Sequence, residues 1–154
     1  MVCSVGKRVQ EVAREVGFSE DFVEEIPSLS EEVIGAKATK LSRIKTLEAS
    51  RILAEDEDWD VRRSVARNTN TPKKILAQLA EDEDLNVRRS VARNTNTPKK
   101  IIAQLAEDEN WVVRYGVTRN TNTPKEILVQ LAEDENWMVR RAAQRRLNSF
   151  SEAM

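Results

Sequence analysis

The sequence predicts an all-α, right-handed solenoid of two-helix repeats with a helical N-terminal cap. The phrase LAEDEDWDVRRSVARNTNTPKKILAQ begins at Leu53 and restarts at Leu79, Leu105 and Leu131, an interval of 26 residues (79 − 53). Apolar residues follow helical spacing within each copy, and no segment alternates as a strand would. A fixed period in this range indicates units that bury their apolar faces by stacking on one another.

The repeats also suggest how the chain is divided. We expect residues 1–52 to form a helical N-terminal cap that includes a degenerate half-repeat. Residues 53–154 then form three full 26-residue repeats plus a partial C-terminal capping repeat, in a single continuous domain. A solenoid needs caps because an end repeat would otherwise expose its core face. A separate functional domain at the N-terminus is the alternative, although about 50 residues make a marginal independent core.

Apolar spacing predicts several helices in the N-terminal section. Residues 4–16 fit an amphipathic helix, with Gly17 placed for a left-handed C-terminal cap. Ser19 is placed to cap a second short helix that ends at Pro27. A longer helix follows, and its predicted inner face consists of Ile34, Ala38, Leu41, Ile44 and Leu47.

Each repeat is predicted to contain a first helix, an acidic turn, a second helix and an Asn-Thr turn. In the Thr71-Pro72 pair, Thr is the expected N-cap and Pro the first helical residue. An Asp or Asn at the end of the acidic run is expected to cap the second helix, where Val87 and Val91 face the core. The expected apolar stripe of the first helix is Ile75, Leu76, Leu79 and Ala80.

Composition excludes most catalytic and metal-binding chemistry. The chain has no histidine, and Cys3 is its one cysteine. Histidine-based catalysis, histidine-containing zinc sites and tetrathiolate sites are therefore excluded, and only carboxylate sites stay open. The acidic runs lack the glycine and the closing glutamate spacing of an EF-hand loop, and Asp60 has no acidic counterpart in the other repeats. We predict no enzymatic activity, no metal and no cofactor.

The charge balance and the cysteine usage bear on partners and compartment. The 25 basic and 26 acidic residues leave a net charge of −1, so a basic site must come from the placement of charges. A single cysteine fits a reducing compartment. No stretch approaches the roughly 20 apolar residues that span a bilayer. We therefore predict a cytoplasmic protein without a membrane partner.

The repeat pattern LAxD…VRxxVARNxxTPxxIL resembles the leucine-rich repeat variant family and is similar to HEAT-like repeats. It extends from Leu53 to about Leu147. The resemblance implies a helical repeat scaffold, in families that bind many different molecules. It also implies slightly shorter repeats than those found here. Some variant-repeat proteins carry a cysteine-bound iron–sulfur cluster at the N-terminus, which Cys3 alone cannot supply.

The resemblance further implies pairs of Asp with the Arg six positions later, linking successive units. We assign these charges to structure, because a network between repeats is worth more than isolated surface pairs. The implied pairs are Asp56 with Arg62, Asp82 with Arg88, Asp108 with Arg114, and Asp134 with Arg140.

One line of polar and aromatic positions then remains on each second helix. Residues at i, i+4 and i+8 lie along one face of a helix. In a HEAT-like solenoid the second helices line the concave surface, so these positions would lie side by side there. We call this set the Trp/Arg ribbon: Trp59, Arg63, Arg67, Arg89, Arg93, Trp111, Tyr115, Arg119, Trp137, Arg141 and Arg145.

The Trp/Arg ribbon is the candidate binding surface. Arginine forks and aromatic faces hold carboxylates, phosphates and unstacked bases, and tryptophan is enriched in protein interfaces. The main hypothesis is a scaffold that binds a protein partner through an acidic segment. The alternatives are nucleic acid along the same ribbon, or arginines that are neutralised by the acidic turns. Exposed end repeats would also allow self-association.

Overall fold

The computed structural model describes residues 4–25 and 40–152, and all regular structure within these ranges is α-helical. Alternate helices from α4 onward begin 26 residues apart, as the sequence repeats do. The predicted all-α repeat architecture is confirmed, and its right-handed twist stays a prediction. The helices are α1 Ser4–Glu15, α2 Glu20–Glu25, α3 Lys40–Ala54, α4 Trp59–Arg67, α5 Lys73–Leu79, α6 Leu85–Arg93, α7 Lys99–Leu105, α8 Trp111–Arg119, α9 Lys125–Leu131 and α10 Trp137–Glu152.

The helices form two layers. The second helices of the repeats, α4, α6, α8 and α10, pack against one another in chain order. The first helices, α5, α7 and α9, pack against the second helices on either side of them in the chain. Helix α3 contacts α4, as a first helix would, and also contacts α5, while α1 packs against α3 and α4. The N-terminal helices therefore cover the first repeat, although the predicted boundary at residue 52 stays a prediction.

One apolar core runs through both layers. The predicted stripe of Ile75, Leu76, Leu79 and Ala80 is buried, as are Val87 and Val91 of the second helix. The connected core extends from Val12 of α1 to Ala143 of α10. Each fully buried leucine or valine stabilises the fold by about 1.5–3 kcal/mol relative to exposure.

The acidic run caps the second helices, as predicted. Asp58 accepts a hydrogen bond from the backbone N–H of Asp60, and Asp84 accepts from those of Asn86 and Val87. The same position is Asn110 in the third repeat, and its side chain accepts from the N–H of Val112. These bonds satisfy backbone donors that have no partner within the helix.

The predicted N-cap role of threonine is wrong. Helix α5 begins at Lys73 with Pro72 as its N-cap residue, and no side chain caps it. The hydroxyl of Thr71 instead donates to the backbone carbonyl of Val65, at 2.6 Å. Carbonyls in the last turn of a helix lack the usual donor four residues on, so the buried hydroxyl supplies one. Thr97 and Thr123 make the same contact with Val91 and Val117.

The N-terminal section agrees with the sequence in part. Helix α1 ends at Glu15, and Gly17 has a φ of 80°, the left-handed conformation expected of a C-terminal cap. Leu47, which was predicted to face inward, is 43% exposed. The inward residues are Ala49 and Leu53, because Leu53 occupies the position of Leu79 and the repeat register orients α3. The Pro27 stop and the rest of that predicted face lie outside the described side chains.

Buried asparagines link successive repeats, a feature that the sequence analysis missed. The Asn94 amide donates to the carbonyls of Ala66 and Asn68 in the preceding repeat, both at 2.8 Å. Asn120 repeats this one unit later, donating to Ala92 and Asn94. In the last unit Arg146 occupies the position and donates to Asn120. The Asn-Thr turns therefore join neighbouring units as well as bonding their own backbone.

Within the described ranges, no helix combines the length and the apolar character that a bilayer crossing requires.

Candidate functional site

Six of the eight charges implied to form a ladder link successive repeats, but with different partners. Arg62 donates from Nε to Asp82 Oδ2 at 2.7 Å and from Nη2 to Asp82 Oδ1 at 3.0 Å. Its Nη1 donates to the backbone carbonyl of Asp56 at 2.8 Å. The implied carboxylate pairing at six residues is therefore wrong: Asp56 contributes its carbonyl, and the carboxylate comes from 20 residues ahead.

The same rung is repeated along the array. Arg88 binds the Asp108 carboxylate, and Arg114 binds that of Asp134, each with its Nε 2.7 Å from Oδ2. Their side chains are 12% exposed or less. We call this series of contacts the Arg–Asp ladder. It joins the acidic turn of each repeat to the second helix of the repeat before it.

The two ends of the Arg–Asp ladder differ. At the N-terminal end Arg8 of α1 donates from Nε to Asp56 at 2.6 Å, so α1 completes the first rung. At the other end Arg140 donates from Nη1 to the carbonyls of Asp134 and Glu135. No carboxylate within residues 4–25 and 40–152 pairs with Arg140.

The Arg–Asp ladder shifts the pKa values of Asp56, Asp134 and Arg62 in the direction that favours their charged forms. Burial alone would raise the pKa of Asp56, but the hydrogen bond from Arg8 and the positive charges of Arg8 and Arg62 hold that pKa below its ordinary value. Asp134 behaves in the same way beside Arg114, and its pKa is also lowered. The hydrogen bonds that Arg62 donates to the Asp82 carboxylate raise the pKa of Arg62. Each charge is therefore stabilised by its partner.

The arginines of the Arg–Asp ladder bind carboxylates that would otherwise be available to the arginines of the Trp/Arg ribbon. Glu135, which is exposed, lies 3.0 Å from Nη2 of Arg114, and the equivalent glutamates of the two preceding repeats also lie beside the ladder. One ribbon arginine, Arg63, pairs with Asp60 at 3.1 Å. In the described part of the chain, five ribbon arginines form no ion pair: Arg89, Arg93, Arg119, Arg141 and Arg145.

The aromatic residues of the Trp/Arg ribbon are accessible to different degrees. Trp59, Trp111 and Trp137 are 40%, 38% and 56% exposed. The guanidinium of Arg63 lies over the Trp59 ring, 5.3 Å from its centroid, within the range of a cation–π contact. Tyr115 is half-buried and packs against the core. The three tryptophans therefore offer apolar surface, whereas Tyr115 is mainly structural.

Four ribbon arginines are brought together between two second helices. A cavity of about 440 Å³ lies between α4 and α6, and we call it the α4–α6 groove. No carboxylate is among its lining residues, which are Arg63, Arg67, Arg89, Arg93, Thr69, Asn86, Ser90, Asn94 and Thr95. The remaining ribbon residues, including Arg119, Arg141 and Arg145, do not line it.

Two of the arginines in this groove have an unsatisfied donor. The Nε atoms of Arg63 and Arg89 are buried and have no hydrogen-bond partner among the described residues. A buried donor without an acceptor costs about 1–3 kcal/mol, so such groups are uncommon in folded proteins.

The arginines of the α4–α6 groove were predicted from the sequence as site residues, but its neutral lining residues were not. Thr69 and Thr95 come from the turns that follow α4 and α6, whereas Asn86 and Ser90 lie on α6. Asn86 is three residues before Arg89, a spacing that places two residues on one helical face. That signal was readable in the sequence. The turn threonines carry no such signal, because their position depends on how the turn folds back.

The described carboxylates do not suggest a metal centre. No group of three or more His, Cys, Asp or Glu side chains within residues 4–25 and 40–152 is arranged to hold a metal ion. The acidic runs instead cap helices and bind the ladder arginines.

Two family models match the chain. The leucine rich repeat variant model matches residues 59–84, and the HEAT repeat model matches residues 126–154. They fall on the first and the last repeats of the array. Both families are typically non-enzymatic scaffolds, and HEAT repeats commonly bind proteins. No curated protein and no solved structure gives a significant match.

Proposed function

Because the chain is a helical repeat protein of the leucine-rich repeat variant and HEAT-like kind, we propose that it is a scaffold that binds an acidic segment of a protein partner. The Trp/Arg ribbon is the proposed binding surface. The observation that carries the proposal is the α4–α6 groove, where four arginines meet without a lining carboxylate.

The separation of the two sets of arginines supports this proposal. Arg62, Arg88 and Arg114 are bound to aspartates and hold the repeats together. Arg89, the ribbon residue that follows Arg88 in the chain, forms no ion pair within the described residues. A guanidinium binds a carboxylate through two parallel N–H···O bonds, which suits an acidic peptide.

The exposed tryptophans support a protein as the partner. Trp59 and Trp137 are exposed at the start of their helices, one helical turn before Arg63 and Arg141. Tryptophan and arginine are the residue types most enriched among the energetic centres of protein interfaces. An acidic segment with an apolar residue beside its carboxylates therefore fits this surface.

Nucleic acid along the same ribbon is the second candidate. The stacking of Arg63 on Trp59 favours it, because such pairs also accept unstacked bases. The basic track is interrupted, however, since Tyr115 replaces arginine in the third repeat and the Lys-Lys pair becomes Lys125-Glu126 there. The net charge of −1 also provides no long-range attraction for a polyanion.

The proposal includes several further expectations from the sequence. We expect no catalytic activity and no cofactor, since the chain contains no histidine and one cysteine. The reducing cytoplasm is the compartment that this cysteine usage fits best. Residues 1–52 act as a cap in this proposal, because Arg8 completes the first rung of the Arg–Asp ladder.

A pull-down from source lysate with matched charge variants tests the proposed function. We expect one dominant protein partner, and its recovery falls when Arg67 and Arg93 of the α4–α6 groove are both changed to glutamate. The control is Lys73→Glu with Lys99→Glu, which makes the same charge change at exposed first-helix positions. Equal recovery by both double variants would contradict the proposal.

Oligonucleotide binding separates the second candidate. Fluorescence anisotropy with single- and double-stranded oligonucleotides at two salt concentrations measures it. Tight binding with a steep salt dependence would favour nucleic acid, because counterion release makes such binding salt-sensitive. Absence of binding at low salt would leave the protein partner as the proposal.

A further inference from the structure

The α4–α6 groove has a denser positive charge than the other junctions between second helices. Two equivalent pairs meet there: Arg63 and Arg67 from α4, and Arg89 and Arg93 from α6. At the α6–α8 and α8–α10 junctions, Tyr115 replaces one of these four arginines. Four guanidinium groups around one cavity are therefore particular to the first junction.

Such a charge cluster favours an anion with more than one negative charge. Asp60 pairs with Arg63, whereas Arg89 and Arg93 form no ion pair within the described residues, and no carboxylate is among the residues that line the groove. A carboxylate carries one charge and two oxygens, which a single guanidinium satisfies. A phosphoryl group carries about −1.5 to −2 charges at neutral pH and has three acceptor oxygens. It can therefore bind several guanidinium groups at once.

The other groups around the groove also suit a phosphoryl group. The Asn86 amide and the Thr95 hydroxyl lie among the lining residues as neutral donors. Phosphate oxygens accept hydrogen bonds from guanidinium groups, amides and hydroxyls. The groove thus combines positive charge and neutral donors in about 440 Å³.

The arrangement favours one phosphoryl group on a peptide over a nucleic acid backbone. A nucleic acid presents a phosphate at every nucleotide and needs a continuous basic track. Here the four-arginine set occurs at one junction, and each repeat also carries an acidic turn such as Glu81 to Asp84. The acidic turns repel an extended polyanion but leave room for a single phosphorylated side chain.

We propose that the α4–α6 groove binds a phosphorylated serine or threonine in the partner segment. This inference rests on the proposed function, since it identifies the anionic group that the Trp/Arg ribbon recognises. Arg89 and Arg93 bind the phosphoryl oxygens together with Arg63 and Arg67. The exposed ring of Trp59, beneath the Arg63 guanidinium, contacts the residues beside the phosphorylated one.

The repeats themselves supply one variant for a test. Arg89→Tyr removes one groove charge and copies the residue that the third repeat already holds at this position, Tyr115. Arg51→Tyr makes the same change at an exposed position of α3, outside both the groove and the Trp/Arg ribbon. Far-ultraviolet circular dichroism checks that both variants are folded. Both variants replace an arginine with a tyrosine, but only Arg89→Tyr changes a residue that lines the groove.

The probes are a degenerate phosphoserine peptide library, the same library after dephosphorylation, and a ten-nucleotide oligothymidylate. We expect the immobilised protein to retain the phosphorylated library at least about tenfold better than the dephosphorylated one, a difference of about 1.4 kcal/mol. Arg89→Tyr should reduce this preference about tenfold, whereas Arg51→Tyr should change it less than about twofold.

Three results would overturn the phosphate site. They are equal retention of the two libraries, equal effects of the two variants, and tighter binding of oligothymidylate than of the phosphorylated library. If the lysate pull-down still depends on Arg67 and Arg93 in any of these cases, the proposed function stands and only the phosphate site fails. Phosphopeptide binding without that dependence in lysate would instead contradict the proposed function.

Discussion

Arg62 holds both carboxylate oxygens of Asp82, with its Nε 2.7 Å from Oδ2 and its Nη2 3.0 Å from Oδ1. The third nitrogen, Nη1, donates to the carbonyls of Asp56 and Glu57 in the preceding acidic turn. One guanidinium therefore joins two successive acidic turns. The side chains of Arg62 and Asp82 are only 10% and 7% exposed, so water competes little for these bonds.

Removing one carboxylate from the Arg–Asp ladder should lower the stability of the whole array. We expect Asp82→Asn to reduce the free energy of unfolding by about 2–3 kcal/mol, because it leaves Arg62 buried beside a neutral amide. Urea unfolding followed by circular dichroism measures the change. The control is Glu83→Gln, since Glu83 is 91% exposed and 3.7 Å from Arg62. Equal loss in both variants would contradict the importance of the buried rung.

The lowered pKa values of Asp56 and Asp134 predict a loss of stability in acid. A carboxyl group whose pKa is lower in the folded state stabilises the fold above its unfolded pKa, about 3.9. This contribution is lost as the pH falls from about 5 through the folded pKa, because the unfolded chain then binds the proton more readily. Both lowered values have the same sign, so acid destabilises the fold through both groups.

Urea unfolding between pH 3 and pH 7 tests this dependence. Asp134→Asn should show a smaller fall in the free energy of unfolding over this range than the unsubstituted protein. The difference between the two curves isolates Asp134 from the other carboxylates. Parallel curves would show that Asp134 does not contribute to the pH dependence of the free energy of unfolding.

The buried asparagines should matter more than the exposed ones beside them. Asn120→Ala removes hydrogen bonds to the carbonyls of Ala92 and Asn94 at a position with 0% exposure. We expect a loss of about 2–3 kcal/mol in the free energy of unfolding, because both carbonyls lose a buried donor. Asn122→Ala, at an exposed position with one bond to Thr95, should cost clearly less. Similar losses at both positions would argue against a stabilising role for the buried contacts.

Binding of a phosphoserine peptide should depend on pH through the ligand. The second pKa of a phosphoryl group is about 6, so it carries more negative charge at pH 7.5 than at pH 5.5. The chain contains no histidine to titrate in this window. We expect the affinity of the phosphoserine library to rise severalfold from pH 5.5 to pH 7.5, measured by retention on immobilised protein. A flat profile would argue against dianion recognition in the α4–α6 groove.

The repeat fold could be predicted because the same helical pattern occurs several times in the sequence. Each copy repeats the apolar stripe around Leu76 and Leu79, and chance does not reproduce such a pattern at a fixed interval. The second-helix caps could be predicted too, because Asp84 and its equivalents bond the backbone within three residues. Local chemistry of this kind does not depend on the tertiary structure.

The errors arose where a contact crosses from one repeat to the next. With a 26-residue period, an Arg that follows one Asp by six residues precedes the equivalent Asp of the next repeat by 20 residues. Spacing alone therefore cannot decide whether Asp56 or Asp82 is the partner of Arg62. The cap role predicted for Thr71 is wrong because its hydroxyl binds the Val65 carbonyl, a contact that depends on how the turn folds back. The α4–α6 groove likewise depends on the packing of two helices that sequence spacing does not describe.

Arg88 and Arg89 are neighbours in the chain, but Arg88 belongs to the Arg–Asp ladder and Arg89 to the Trp/Arg ribbon. Comparing variants of the two is the most direct test that these arginines have different roles. Arg88→Gln should lower the free energy of unfolding by about 3 kcal/mol, since it breaks the buried bond to Asp108. It should leave phosphoserine-library binding unchanged under conditions where the variant is folded. Arg89→Gln should keep the stability within about 0.5 kcal/mol and lose most of the binding. Loss of binding in Arg88→Gln, or unchanged binding in Arg89→Gln, would contradict the division between the Arg–Asp ladder and the Trp/Arg ribbon.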